Sequence, residues 1–287
     1  MSIDCWFDEV IREILCKGED RETRSGKVKS VFNPPQFVSA PLYTGKFPIW
    51  SIKKTLFKKP LREGLFFLTG STLVNDMPTD IRNTWWKPWT ENNDDLGKFY
   101  GYQLRQKQGY FDQIRWLENE IKTNPFGRRH VISAFNNAEI NETVLPSCHM
   151  SLWQFYVTKD GVMNMFAYSR SQDLLLGTPH NIVWAAQFLI MFSQSVGYHP
   201  GVLTYQMGDT HIYSDHLEQS ESILNNLEDL EVFPEYEVKP EYKGLDIESL
   251  ILRSEQNCEN KNLGFDCPLI LKNYYPVLKN LKLPLSA

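Results

Sequence analysis

The chain has 287 residues, 42% of them hydrophobic and 13% aromatic, enough to bury one large core without requiring a second domain. Thirty basic side chains against 35 acidic ones leave a net charge of −5, so the whole molecule offers no general attraction to nucleic acid or to an anionic membrane. Five scattered cysteines with no CxxC pair argue against a disulfide framework or a metal centre, and neither is expected.

The N-terminal MSIDCWFDEV carries acids where a secretion signal carries basic and then apolar residues, and no stretch reaches the roughly 20 apolar residues of a membrane span. A soluble, cytoplasmic protein is expected. Over residues 2–17, Ile3, Trp6, Phe7, Val10, Ile11 and Ile14 recur at helical spacing and Gly18 supplies a stop, which predicts an amphipathic helix. Residues 51–69 predict a second helix with one wet, lysine-rich face, although Pro60 and Gly64 sit awkwardly inside it. Two β-prone runs flank Lys159-Asp160-Gly161, a hairpin signal. Residues 181–198 are apolar nearly all round and predict a helix buried in the middle of the domain. A strand ending at Tyr213 and an exposed helix over 214–227 follow. Helices interleaved with strands, without repeat or linker, indicate one α/β (α+β) domain over 1–287.

Several residues could carry chemistry, and each has an ordinary reading beside it. Cys148, next to His149, is a nucleophile or a small buried hydrophobe. Glu63 beside a Phe-rich run is salt-bridged to Arg62 or a lysine, or is a desolvated carboxyl able to move protons. Arg128 and Arg129 are solvated surface or a fork for a phosphate. Arg170, Ser171 and Asp173 close a strand before Gly177 and Asn181; that amide caps a helix or presents one donor and one acceptor to a pyrimidine edge. His211 and Tyr213, two apart on a strand, share a face and reach a ribose hydroxyl or make core hydrogen bonds. Taken together, guanidiniums for a phosphate, His and Tyr for a sugar, an amide for a base, a thiol and a carboxyl describe a pyrimidine nucleotide site.

From TRSGKVKSVF through FPIWSIKK, REGLFFLTG, TWWKPW, DLGKFYGYQLR, GRRHVISAF, LPSCHM, SRSQDLLLGTPHNI and GDTHIYSDH to the tail LKLPLSA, the chain resembles the thymidylate synthase and pyrimidine nucleotide hydroxymethylase family. The resemblance implies a large mixed sheet flanked by helices and a homodimer packed sheet to sheet, each site completed by the partner. It implies Arg24, Arg170 and Ser171, with Arg128 and Arg129 of the other subunit, at the 5′-phosphate; Asn181 at the uracil; His211 and Tyr213 at the 3′-hydroxyl. Cys148 becomes the nucleophile, and Glu63, Tyr100 and His149 work through water across the base. Trp86, Trp89, Asp173, Leu176, Gly177 and His180 bound the slot for 5,10-methylenetetrahydrofolate, and Lys53, Lys54 and Lys58 meet its glutamate tail. The implied reaction is C5 methylation of dUMP: thiolate addition at C6 loads charge onto C5 and O4, and Glu63 assists loss of the C5 proton.

The chain departs from the family pattern in places. One additional residue lies between Cys148 and Gln154, implying a β-bulge or a shifted register. His180 replaces an aromatic residue before the base-reading amide, where a polar ring could order water; Trp85 is a further bulky aromatic; the loop around Arg24 lacks the Thr-Gly-Thr repeat. These changes bear on whether hydride or water completes the product, so a dUMP hydroxymethylase is the alternative, with dCMP hydroxymethylation behind it because Asn181 is not Asp. A catalytically silent RNA- or partner-binding homologue is the alternative of another class. The apolar C-terminal tail is expected to close over the site and exclude water.

Overall fold

The computed structural model describes residues 2–106, 111–226, 233–278, 281 and 283. Helix α1, Ile3–Lys17, forms as its spacing requires: Ser2 caps it by accepting from the Cys5 N–H, and the six predicted apolar residues are its buried stripe. Strands β1 (Glu19–Thr23) and β2 (Gly26–Phe32) form an antiparallel ribbon, followed by the short β3 (Phe37–Val38).

The predicted lysine-rich helix is shorter than its pattern. Helix α2 runs Lys58–Thr69, and residues 51–57 are loop. Pro60 falls in the first turn, where its missing N–H would have had no partner. Gly64 is there for space, since a Cβ would stand 2.4 Å from the Trp184 ring. The wet basic face is only partly realised: Lys54 and Lys58 are exposed, but Lys53 is buried and Arg62 is turned inward onto Asp80 at 2.5 Å.

Four further helices follow, α3 (Thr79–Arg82), α4 (Lys87–Thr90), α5 (Tyr100–Gln106) and α6 (Gln113–Thr123), and then the edge strand β4, Val131–Ile132. The predicted hairpin is β5 (Leu152–Val157) and β6 (Val162–Asp173), paired antiparallel without interruption from Leu152↔Tyr168 to Val157↔Met163. Helix α7, Gly177–Ser195, crosses from β6 to the parallel β7, His199–Tyr213, and is buried on nearly every side, which explains its unbroken apolar sequence. Helix α8 is Leu217–Leu224, with Ser220 and Ile223 buried, so the predicted exposed helix is only partly exposed. Strands β8 (Glu235–Val238) and β9 (Leu269–Lys272) form a separate ribbon, with α9 (Ile247–Gln256) between them.

The main sheet is mixed, in the order β1-β2-β7-β6-β5-β4, with β3 also on β7. Helices α1, α2 and α7 supply apolar residues to the single core on one face. The other face of β5 and β6 stays open, carrying Leu152, Tyr156 (66% exposed) and Phe166. Among the described residues no helix is long and apolar enough to cross a membrane. The predicted lid falls on the tail, where only Leu281 and Leu283 are described; both pack against the core.

Candidate active site

Cys148 ends the loop that feeds β5. Arg170, on β6, holds that loop: its Nε donates to the Ser147 carbonyl at 2.8 Å and an Nη to the Pro146 carbonyl at 3.0 Å. The Ser151 hydroxyl donates to the Cys148 carbonyl at 3.2 Å. Tyr100, on α5, accepts the Cys148 N–H at 2.9 Å and lies 3.3 Å from the thiol sulfur. Burial, together with the neighbouring thiol, raises the Tyr100 phenol well above its ordinary value, so it keeps its proton at neutral pH and can direct it at a thiolate.

The additional residue after Cys148 is accommodated ahead of the strand. Met150 adopts φ 55°, and its carbonyl accepts from Ala134 N–H at 2.9 Å, one residue out of step with the Ile132↔Trp153 pairing of β4 and β5. Since β5 pairs with β6 in constant register, the offset behaves as a bulge against β4, and the strand's own alternation is preserved.

Glu63, on α2, is linked to Tyr100 through Trp86, whose ring meets the Tyr100 ring edge to face at 6.3 Å. Among the described residues no lysine or arginine bridges it; instead the Trp86 indole N–H donates to its Oε1 at 2.5 Å. Burial, opposed by that bond and by Lys59, pushes its carboxyl up to about 7, so it changes charge at physiological pH. His149 is buried against Tyr100, ring centroids 4.7 Å apart, and burial pushes it down to about 3, which keeps it neutral.

Asn181 projects from the first turns of α7 and donates through Nδ2 to Gln172 Oε1 at 3.1 Å, so it orients within a side-chain network and does not cap the helix. Asp173 holds the turn that leads into the helix: its Oδ1 accepts from Leu175 and Leu176 N–H, both at 3.1 Å. Burial nevertheless raises its carboxyl above the usual range. Behind this turn Lys53 donates to the Leu175 carbonyl at 3.0 Å, and burial, opposed by Asp173, lowers its amine to about 8. That places Lys53 inside the wall, where it supports the turn carrying Leu176 and Gly177, and leaves Lys54 and Lys58 outside.

His180 has both ring nitrogens occupied: Nδ1 meets the Leu176 carbonyl at 2.8 Å and Nε2 accepts the Leu56 N–H at 3.3 Å. With one nitrogen donating and the other accepting the ring is neutral, and burial pushes it down to about 3. It packs against Trp85 at 4.8 Å, while Trp86 and Trp89 meet edge to face at 5.9 Å.

On β7, His211 contacts Asp209 at 3.4 Å and packs perpendicular to Tyr213 at 5.2 Å. The register pairs Asp173 with His211 and Ser171 with Asp209, which brings the two strand ends together. Arg24, Arg128 and Arg129 are exposed, and none of their side chains has an acidic partner among the described residues. No cluster of His, Cys, Asp and Glu that could hold a metal occurs among those residues either.

A thiol beside a phenol, a carboxyl bonded to the indole that packs on that phenol, and an amide oriented by a buried glutamine stand on these elements, and the sequence around them matches the family model described as thymidylate synthase over residues 6–256. The chain belongs to the thymidylate synthase family. Its chemistry is therefore one-carbon transfer to a pyrimidine nucleotide, for which the family typically uses methylenetetrahydrofolate. Sequence reasoning missed the residues behind the family's reactive groups: Gln172, Thr178, Tyr205 and Ser169, which hold Asn181, and Ser151, which steadies the Cys148 loop. The motif SRSQDLLLGTPHN contained three of them, without a signal as to which way each would point.

Proposed function

We propose that this chain converts dUMP to dTMP through a covalent bond between the Cys148 sulfur and pyrimidine C6. The observation that carries the reading is the pairing of a thiol backed by the Tyr100 hydroxyl at 3.3 Å with a carboxyl, Glu63, that titrates near 7. The hydroxyl stabilises the thiolate before attack. Asn181 offers one N–H and one carbonyl oxygen to the O4 and N3–H edge of uracil, stabilising the charge that addition at C6 places on O4. Glu63, ionised above pH 7, relays the C5 proton through water. His149, neutral and packed against Tyr100, fixes the phenol ring.

The donor set fits a folate. Trp85 packs against His180 and Trp86 against Trp89, rings of the kind that stack on a pterin or an aminobenzoyl group, and His180 follows Leu176 and Gly177 in the first turn of α7. When bound, 5,10-methylenetetrahydrofolate supplies the one-carbon unit and the hydride. Methyl rather than hydroxymethyl is favoured because His180, the residue that argued for ordered water, has both nitrogens committed to backbone groups.

The active form in this reading is a homodimer. The open face of β5 and β6, with Leu152, Tyr156 and Phe166, is an apolar patch of the kind a self-complementary interface covers. Arg128 and Arg129, without an acidic partner among the described residues, would then join Arg24, Arg170 and Ser171 of the partner at the nucleotide phosphate, with His211 and Tyr213 at the 3′-hydroxyl.

Incubation with dUMP and methylenetetrahydrofolate, followed by mass spectrometry of the nucleotide and by absorbance of dihydrofolate, tests the reading. A product heavier by one methylene, with one dihydrofolate formed per nucleotide, is expected. A hydroxymethyl product without dihydrofolate would reject methylation, and absence of a 5-fluoro-dUMP adduct on Cys148 would reject covalent catalysis.

A further inference from the structure

We propose that Gln172 is a positioning residue that sets which pyrimidine the chain reads, by holding the Asn181 amide in the orientation that matches uracil; this rests on the reading of the site as a dUMP site. A side-chain amide is nearly symmetric in shape but opposite in polarity at its two ends, so an unrestrained asparagine presents its donor and acceptor in either order. Asn181 is restrained. Its Nδ2 donates to Gln172 Oε1 at 3.1 Å, which leaves one N–H and Oδ1 for a ligand.

Gln172 is itself held from behind. It is 2% exposed, its Oε1 shares the Thr178 hydroxyl proton with the Asp173 carbonyl, both at 2.9 Å, and its Nε2 donates to the Tyr205 hydroxyl at 3.3 Å. Tyr205 in turn shares a 2.7 Å hydrogen bond with Ser169, and both are fully or almost fully buried. Turning the Asn181 amide over would set Oδ1 against Gln172 Oε1, two acceptors in a place where water cannot relieve them. The remaining donor and acceptor match uracil, which offers an acceptor at O4 and a donor at N3. Cytosine offers the reverse, a donor at N4 and an acceptor at N3, and meets each Asn181 group with its like. Specificity against cytosine would therefore come from Gln172, one layer away from the base.

Binding of dUMP and of dCMP to the full-length protein, measured by calorimetry, tests this against two replacements at one position. Gln172→Met fills the same space without hydrogen bonding, so the dUMP-to-dCMP affinity ratio is expected to fall about tenfold. Gln172→Glu keeps an acceptor toward Asn181 and is expected to retain the ratio. Should Gln172→Met upset folding, Tyr205→Phe removes only the hydroxyl behind Gln172 and is expected to lower the ratio in the same direction by less. A parent selective for dUMP alongside Gln172→Met and Tyr205→Phe proteins equally selective would overturn the role of Gln172 and leave the proposed reaction standing. Loss of selectivity in Gln172→Glu but not in Gln172→Met would overturn it too, by showing that Gln172 donates to Asn181. A parent that binds neither nucleotide would remove the proposed function and this inference together.

Discussion

The proposed reactive centre and the three exposed arginines proposed as its phosphate rim are built in opposite ways. At the centre every group is tied to its own chain: Cys148 to Tyr100, its loop to Arg170, Asn181 to Gln172, Glu63 to Trp86. At the proposed rim Arg24, Arg128 and Arg129 are exposed, with no carboxylate among the described residues to hold them. Preorganised dipoles and a fixed nucleophile act without reorganising at the moment of reaction, which a single buried layer can supply. A phosphate clamp made of exposed guanidiniums gains its order only from the anion and, in the proposed dimer, from a second chain. The difference implies that damage to the centre should stop chemistry, whereas damage to the rim should weaken binding.

Replacing the proposed nucleophile should cut deepest. Cys148→Ala is expected to lower turnover by at least about a thousandfold with the fold retained, read by steady-state kinetics beside circular dichroism. Unchanged turnover would move the reaction away from this centre.

Glu63→Gln comes next, with an expected loss of about 10²–10⁴ in kcat and removal of the acid limb near pH 7. The same replacement separates activity from stability. Because burial raises the Glu63 carboxyl to about 7 in the fold, its favourable contribution is present at low pH and is lost as pH rises through about 7. Glu63→Gln should therefore melt higher than the parent at pH 8, by roughly 0.5–2 kcal/mol, and show little change at pH 4. A lower melting point at pH 8 would mean that the buried carboxylate has a cation partner after all.

At the rim, Arg128→Ala and Arg129→Ala should each raise KM for the nucleotide about ten- to a hundredfold and spare kcat. Mixing the Cys148→Ala protein with the double arginine variant should regain turnover, since each subunit would lend what the other lacks. No recovery would confine the site to one chain.

The smallest effect concerns the scaffold beneath both regions. Gly64→Ala forces a methyl group onto the Trp184 ring and is expected to cost about 1–3 kcal/mol in a denaturant titration while leaving KM near parental.

Much of this was legible in the chain, for identifiable reasons. The α1 stripe, the hairpin around Lys159-Asp160-Gly161 and the all-round apolar α7 depend on local periodicity, which sequence displays directly. The 51–69 segment misled because Lys53 is charged yet buried, held by a carbonyl 122 positions away that no local pattern could announce. Gln172 was missed because strict alternation from Met163, Met165, Ala167 and Ser169 would face it outward. The burial pattern slips by one residue there, and the neighbouring β7 slips beside Gly208, so Ser169 and Gln172 both turn inward.

The sequence by itself determined the family and the elements with strong local periodicity, because these reside in residue type and spacing along the chain. Only the tertiary structure decided that Glu63 is bonded to Trp86 and titrates near 7, that His180 spends both nitrogens on backbone, and that Asn181 is bonded to Gln172. Those properties depend on desolvation and on hydrogen-bond partners brought from distant segments, and neither exists until the chain has folded.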